Sequence, residues 1–235
     1  MAKKDITVTV IAKNEAEIIK VCLESCANFE EVIVVDSGST DNTQGISLIL
    51  GANVIYQDWL GFGPQKQFAV SQASNNWILS IDADEYLSQD LVDEINTLSF
   101  KDEKVAYEIN RRSFFLGKEV KFSGWSPDRV IRLFNKKHCQ FTDDIVHEKV
   151  TGFTTTVKLN GLLYHTPFRT KEVIEEKIKL YGALGKKQRR KEKHQLISAT
   201  WSFVRTFLFQ LGFLDGKVGF QIALMNAKIS WIKYS

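Results

Sequence analysis

Short apolar runs, most of them rich in β-branched residues, recur in the first third of the chain. They occupy residues 6–11, 32–35, Asn53–Tyr56 and 77–81. Runs of this length are typical of strands that are buried on both faces of a parallel sheet. Between the first two runs, apolar residues at 18, 19, 22 and 23 have helical spacing, and Asn14 is placed to cap that helix. The sequence therefore predicts a βαβ opening with right-handed crossovers and an α/β fold with a mostly parallel sheet.

Carboxylates follow two of these runs directly. Asp82, Asp84 and Glu85 come behind residues 77–81, and Asp36 comes behind residues 32–35. Open α/β sheets bind ligands at the carboxyl ends of their strands, so we expect these acids to converge at one edge. Hard oxygen ligands favour Mg²⁺ or Mn²⁺, which predicts a metal–diphosphate site, although isolated D-x-D triplets are common in solvated loops. For Asp36, and for Asp41 after it, helix capping is the alternative.

Beyond the D-x-D triplet the pattern changes. We predict a short helix at residues 85–98 and two strands, antiparallel additions to the sheet, at 105–115 and 130–134. In a strand at 130–134, Arg132 would alternate with apolar neighbours and face away from the core.

Charge is divided unevenly along the chain. Residues 171–235 contain 13 Lys and Arg against 5 Asp and Glu, a balance of +8, whereas the whole chain carries only +3. An acidic body with a basic, aromatic tail fits a membrane-surface enzyme better than a nucleic-acid-binding protein. The three cysteines have no paired spacing, which argues against a disulfide framework or a zinc site, and the N-terminal apolar stretch is too short for a signal peptide. We therefore expect a cytoplasmic protein that does not bind nucleic acid.

Two apolar stripes with helical spacing run through the last forty residues. The first is Ile197, Trp201, Val204, Leu208 and Leu211; the second is Val218, Ile222, Met225, Ile229 and Ile232. The longest uncharged stretch, residues 194–204, is about half of the roughly 20 apolar residues that a spanning helix needs. We expect amphipathic helices that lie on an anionic membrane, attracted by the basic residues at 186–193. Packing against the catalytic domain, or a contact in a homo-oligomer, is the alternative.

Several motifs, in order, resemble those of the family 2 glycosyltransferases of the GT-A fold. They are VTVIAKNE (8–15), VIVVDSGSTDNT (32–43), WLGFGPQKQFA (59–69), WILSIDADEYL (77–87), SGWSPDRVIRLF (123–134), VHEKV (146–150), GLLYH (161–165) and GFLDGKVGF (212–220). Within that family the chain is most similar to the inner-core lipopolysaccharide glucosyltransferases, which act on heptose. The resemblance implies a GT-A catalytic domain at 1–170, with a nucleotide-sugar-binding half at 1–98 and an acceptor-side half at 99–170. A basic, amphipathic helical tail follows at 171–235.

The resemblance also implies a reaction and a donor site. It implies an inverting, metal-dependent transfer of glucose from UDP-glucose to a lipid-linked saccharide at the cytosolic face of a bacterial inner membrane. By position, Asp36 lies beside the uridine, Asp82 lies on the ribose side, and Asp84 binds the Mg²⁺ or Mn²⁺. Many relatives have a second acid where this chain has Ser37. Lys66 falls near the donor, with a solvated surface lysine as the alternative.

Acceptor-side residues are the candidates for proton transfer. Asp128 falls in the segment that carries the catalytic acid in relatives, and we predict that it is the general base; the alternative is a turn aspartate after proline. Glu148 is the rival base. His147 and His165 are candidate further metal ligands, with core positions as the alternative, and Arg132 could clamp donor phosphates.

Three other functions stay open at this point. The enzyme could use another donor, such as UDP-galactose or an N-acetylhexosamine nucleotide, or a polyprenyl-phosphate acceptor. From a different class comes a catalytically silent nucleotide-binding protein that docks on membranes.

Overall fold

The computed structural model describes residues 3–144, 148–187 and 195–234. The strands are β1 (Lys4–Ala12), β2 (Phe29–Asp36), β3 (Asn53–Tyr56), β4 (Trp77–Asp82), β5 (Glu85–Leu87), β6 (Val105–Phe115), β7 (Lys118–Glu119), β8 (Arg129–Asn135), β9 (Gln140–Phe141), β10 (Val150–Thr151) and β11 (Thr155–Phe168). The helices are α1 (Ile19–Ser25), α2 (Thr43–Ile49), α3 (Phe62–Ser71), α4 (Gln89–Thr97), α5 (Lys171–Lys187), α6 (Gln195–Val204) and α7 (Lys217–Tyr234). A π-helical turn (Arg205–Phe209) and a 3-10 turn (Gly212–Asp215) lie between α6 and α7.

The main sheet is mixed and has the order β3-β2-β1-β4-β8-β6-β11-β5, with β7 paired to β6. Its first four strands are parallel, as the βαβ opening predicts. β8 then pairs antiparallel with both β4 and β6, and β5 pairs antiparallel with β11. The predicted GT-A-type α/β architecture, including the antiparallel strands after residue 105, is therefore confirmed.

Both faces of β1, β2 and β4 are largely buried, which explains why their runs at 6–11, 32–35 and 77–81 are apolar apart from small Thr and Ser residues. In β2, Val34 belongs to the core cluster on one face, whereas Ile33 and Val35 belong to the cluster on the other. Such burial is expected where helices cover both faces of a sheet. Cys22, Cys26 and Cys139 are free and buried, as expected of small core residues.

The predicted helix at residues 85–98 is wrong in its first turn. Residues 85–87 form β5, which pairs with β11, and the helix begins only after Ser88. The Ser88 hydroxyl accepts a hydrogen bond from Leu91 N at 3.1 Å, which caps α4. Asn14 does not cap α1 either, because the residue preceding that helix is Ile18 and Asn14 Oδ1 accepts from Thr40 N instead.

The long strand β11 has no counterpart among the sequence predictions. Gly161 lies in its middle, and a Cβ there would come within 2.3 Å of Leu91 Cα in α4. The strand thus needs glycine at the point where a helix packs closely on it.

The chain forms two compact units. The first comprises residues 1–111 and 129–165, and the second comprises 112–128 and 166–235. The second unit therefore includes a segment that the sequence analysis assigned to the acceptor-side half. The functional division at residue 170 stays a prediction.

In the second unit, the two predicted apolar stripes have different environments. Val218, Ile222 and Met225 of α7 are buried in a core with Phe115 and Phe168, whereas the stripe around α6 is largely exposed. None of the helices in the described parts of the chain is long and apolar enough to cross a membrane. The predicted basic cluster at 186–193 lies outside the residues whose side chains are described.

Candidate functional site

The carboxyl ends of β2 and β4 flank the end of β1. Asp36 is in register with Ala12, and Asp82 is in register with Ile11. Because the three strands are parallel, both acids leave the sheet at one edge, on either side of the central strand.

The carboxylate of Asp36 is fully buried and is bound by its own loop. Its Oδ2 accepts hydrogen bonds from the backbone amides of Gly38 and Ser39, each at 2.9 Å, and from Gln44 Nε2 at 2.7 Å. Oδ1 accepts from the Ser39 hydroxyl. Gly38 has a φ of 82°, a conformation that glycine adopts without steric cost. Asp36 thus fixes the shape of the loop after β2, and its contact with a uridine stays a prediction.

Asp41, rather than Asp36, binds the start of α2. Its Oδ1 accepts from Thr43 N at 3.0 Å, and its Oδ2 accepts from Ala16 N at 3.1 Å. Asp41 therefore joins the loop after β1 to the loop after β2.

A tight turn at residues 82–85 connects β4 to β5, and Glu85 closes it. Glu85 Oε2 accepts a hydrogen bond from Asp82 N at 3.0 Å. Glu85 is completely buried and lies opposite His165 in the pairing of β5 with β11. The turn therefore holds Asp82 and Asp84 in fixed positions beside β11.

Cations from two other elements surround this turn. Lys66 Nζ, from α3, lies 2.9 Å from Asp82 Oδ1 and 2.6 Å from Glu148 Oε1. Arg132 Nη2, from β8, lies 2.8 Å from Asp82 Oδ2 and 2.6 Å from Glu85 Oε1. Asp82 is therefore held between two basic side chains.

Arg111 completes the cluster, with Nη1 lying 2.9 Å from Glu85 Oε1, so that three cations face three carboxylates. Burial alone would raise the pKa of Asp82, but Lys66 and Arg132 hold it well below its ordinary value. Burial, the largest single effect, would also raise the pKa of Glu85, but Arg132 and Arg111 together hold it below its ordinary value. For Arg132, burial would lower the pKa, but Glu85 and Asp82 raise it. These groups are therefore ionised at neutral pH.

Two expectations from the sequence are wrong here. Lys66 is only 2% exposed, so it is not a solvated surface lysine. Arg132 does not face away from the core, because β8 lies between β4 and β6 inside the sheet and the Arg132 side chain is buried among carboxylates.

Sequence reasoning missed the roles of Glu85 and Arg111. The signal for Glu85 was its position three residues after Asp82, the spacing at which an acidic side chain can reach back to a backbone amide, as in a capping box. Nothing in the sequence distinguishes Arg111 from its neighbour Arg112.

Asp84 faces His165 across the turn. Asp84 Oδ1 lies 3.7 Å from His165 Nε2, and both side chains are less than a fifth exposed. Burial lowers the pKa of His165, and the negative charges of Asp84 and Glu85 only partly offset it. The imidazole is therefore neutral at neutral pH, which is the form that binds metals.

These side chains fit a cation only in part. Asp82 Oδ1 is buried and already has the ammonium of Lys66 at 2.9 Å. Within residues 3–144, 148–187 and 195–234, no group of three His, Cys, Asp or Glu side chains is arranged to hold a metal. Mg²⁺ commonly uses one or two carboxylates together with water and substrate phosphates. Asp84 and His165 therefore suit a cation that is held jointly with a diphosphate.

The candidate base Glu148 is tied to α3. Its carboxylate is bound by Lys66, and nearby Gly63 N donates to Asp144 O at 3.1 Å. A Cβ at Gly63 would lie 2.1 Å from Thr142 O, so glycine permits this close approach. Residues 142–144 are thus packed against the helix that carries Lys66.

Asp128 belongs to the second unit. It is half-buried and follows the cis Ser126–Pro127 bond, directly before β8. His147 lies outside the described residues. The structure thus assembles Lys66, Asp82, Asp84, Arg132, Glu148 and His165 in the first unit.

Comparisons with known proteins bear on the family and the fold. The model of the family described as "Glycosyl transferase family 2" matches residues 7–156. An uncharacterized glycosyltransferase of Rickettsia prowazekii is 36% identical over 95% of this chain and 83% of its own length. The lipopolysaccharide core biosynthesis glycosyltransferase LpsC of Rhizobium meliloti is 30% identical over 75% of this chain and 67% of its own. A crystal structure of S. aureus TarS has a TM-score of 0.50 and 19% identity, covering 94% of this chain and 47% of that one, a likeness that concerns the fold alone.

Proposed function

The chain belongs to glycosyl transferase family 2, and from this premise we propose that it transfers glucose from UDP-glucose to a heptose of the lipopolysaccharide inner core. The LpsC relative supports lipopolysaccharide core synthesis as the process. The reaction proposed is an inverting transfer at the cytosolic face of the inner membrane.

The observation that carries this proposal is the turn at residues 82–85. It presents the carboxylate of Asp82, paired with Lys66 and Arg132, and the Asp84–His165 pair at the carboxyl edge of the sheet. We assign Asp82 to the ribose side of the donor, and Asp84 with His165 to the metal. Arg132 and Lys66 hold Asp82 in place and supply positive charge on the diphosphate side.

Two chemical needs define the remaining roles. A Mg²⁺ or Mn²⁺ ion, when bound, neutralises charge on the departing diphosphate as a Lewis acid. The attacking hydroxyl must also lose a proton to a side chain of the protein. We assign the proton transfer to Asp128, with Glu148, which is bound by Lys66 Nζ at 2.6 Å, as the rival base.

We predict that Asp128→Asn lowers the transfer rate by about 10²–10⁴-fold, the usual contribution of a general base. Binding of UDP should be unchanged, because the proposed role of Asp128 is on the acceptor side of the reaction. Initial rates with UDP-glucose and calorimetric titration with UDP check the two parts.

Glu148→Gln is the comparison variant. It removes the negative charge that pairs with Lys66 and so disturbs the position of Lys66. We therefore expect weaker donor binding along with slower transfer. Near-normal turnover by Asp128→Asn, with loss of turnover but intact UDP binding in Glu148→Gln, would move the base to Glu148.

A panel of nucleotide sugars with truncated lipopolysaccharide acceptors tests the function itself. We expect transfer from UDP-glucose to a heptose-terminated acceptor, and loss of transfer in excess EDTA that Mn²⁺ restores. Transfer from UDP-galactose or an N-acetylhexosamine nucleotide, or to polyprenyl phosphate, would replace the proposed substrates. Binding of UDP without transfer to any acceptor would instead indicate a catalytically silent nucleotide-binding protein. Full transfer in excess EDTA would exclude a metal ion from the mechanism.

A further inference from the structure

The second unit exposes an unusual amount of apolar surface between α6 and α7. We call the side chains of Ile197, Trp201, Phe209, Leu211, Phe213 and Leu214 the C-terminal apolar face. Each of them is more than two-fifths exposed, and Phe209 is 69% exposed. In α7, by contrast, Ile222 of the other predicted stripe is completely buried. The two stripes have the same periodicity, and only the first lacks a covering element within the described residues.

Aromatic and backbone contacts join parts of this face. The rings of Trp201 and Phe209 lie 5.6 Å apart, and the ring of Phe213 lies 6.4 Å from that of Phe207. Leu211 N donates to Leu208 O at 3.2 Å, which joins the start of the 3-10 turn to the π-helical turn. Contiguous apolar surface is uncommon on soluble monomers and marks a site of interaction with a protein or a membrane.

The charges around the face identify its partner. Residues 195–234 contain four basic residues, of which Arg205, Lys217 and Lys228 are exposed, and a single acid, Asp215. Asp215 is turned inward, since its carboxylate accepts from Lys121 N at 3.0 Å and from the Ser123 hydroxyl at 2.7 Å. Among residues 195–234 the exposed charged side chains are therefore all basic, whereas the exposed acids Glu172, Glu175 and Glu176 of the second unit lie on α5.

A lipid surface fits this combination better than a second copy of the chain. A twofold contact through the same face would bring the basic residues of both copies together. An anionic headgroup layer would instead pair with them, while Trp, Phe and Leu side chains enter the boundary with the acyl chains. The helices cannot span, so the face would lie in the plane of the membrane.

We propose that the C-terminal apolar face inserts into the headgroup region of an anionic bilayer, and that α7 supports it from the core side. This proposal deepens the proposed function, on which it rests for the identity of the lipid-linked acceptor. The binding step itself requires neither donor nor acceptor.

Cosedimentation of the full chain with vesicles tests the proposal. We expect binding to vesicles of phosphatidylglycerol and phosphatidylethanolamine, little binding to phosphatidylcholine alone, and weakening as NaCl is raised. The double variant Trp201→Ser, Phe209→Ser should lower the partition coefficient by at least about tenfold, because it removes two large apolar groups from the lipid boundary. Its melting temperature should stay within a few degrees of the wild type, since both side chains are mostly exposed.

Leu48→Ser, Ile49→Ser is the matched control. These residues of α2 are 60% and 83% exposed but belong to the first unit, so vesicle binding should be unchanged. Equal binding by the wild type and the Trp201/Phe209 variant would overturn the proposal. So would a wild-type dimer in light scattering that the variant abolishes, because the face would then bind a second copy. Vesicle binding that persists in a protein without transferase activity would leave this inference standing and reject only the proposed reaction.

Discussion

Replacing Arg132 by methionine is expected to lower the free energy of unfolding by about 3 kcal/mol, near the lower end of the range for removing one partner of a buried ion pair. Arg132 is 6% exposed at its side chain and serves both Asp82 and Glu85. In the variant, Asp82 would still be paired with Lys66, and Glu85 would still be paired with Arg111. The loss of unfolding free energy should therefore not be larger. Urea unfolding followed by circular dichroism gives the difference.

Arg129→Met, on the same strand, is the control. Arg129 is 36% exposed, and its Nη1 lies 3.9 Å from Glu108 Oε2, so that its loss should cost less than about 1 kcal/mol. If both variants lose the same small amount, the buried cluster around the turn does not stabilise the protein in the way described. If Arg132→Met instead changes the slope of the unfolding free energy against urea concentration, the variant has altered the compactness of the unfolded or the native state.

Asp84→Asn is expected to lower the transfer rate by at least about 10²-fold. Lewis-acid stabilisation is worth several kcal/mol, and about 1.4 kcal/mol corresponds to a tenfold change in rate. An amide oxygen is a weaker ligand than a carboxylate, so the concentration of Mn²⁺ needed for half-maximal activity should rise. Stability should change little, because Asp84 is outside the group of carboxylates that binds Arg132.

Asp93→Asn controls for the loss of one negative charge outside the site. Asp93 is exposed on α4, where it accepts from Gln89 Nε2 at 2.9 Å. Its replacement should leave both the rate and the Mn²⁺ requirement unchanged. An Asp84→Asn enzyme with the wild-type Mn²⁺ dependence would exclude Asp84 as a metal ligand.

Local sequence predicted the strands that are buried on both faces. The runs that became β1, β2 and β4 are apolar apart from Thr and Ser because both sheet faces are covered, and the parallel topology brings the acids at the ends of β2 and β4 to one edge. The antiparallel strands β6 and β8 were recognised because they too contain several buried apolar residues. Residues 85–87 were misassigned because their state depends on pairing with β11, which lies more than seventy residues later.

Side-chain environments were harder to predict than strands. Alternation in β8 suggested an exposed Arg132, but the position of β8 between β4 and β6 buries it. The two C-terminal stripes have the same periodicity, so the sequence predicted the same environment for both. In the structure, only the stripe of α7, around Ile222, is buried in a core. In each case the outcome depends on elements that are distant in sequence, which no local pattern reports.

Calorimetric titration with UDP, in Mn²⁺ and in EDTA, tests most directly the claim that the turn at residues 82–85 binds a nucleotide diphosphate together with a cation. The account predicts that UDP binds to the wild type in Mn²⁺, that EDTA weakens this binding at least about tenfold, and that Asp84→Asn binds equally weakly in either condition. Equal affinity of the wild type with and without the cation, or full Mn²⁺-dependent binding by Asp84→Asn, would contradict it.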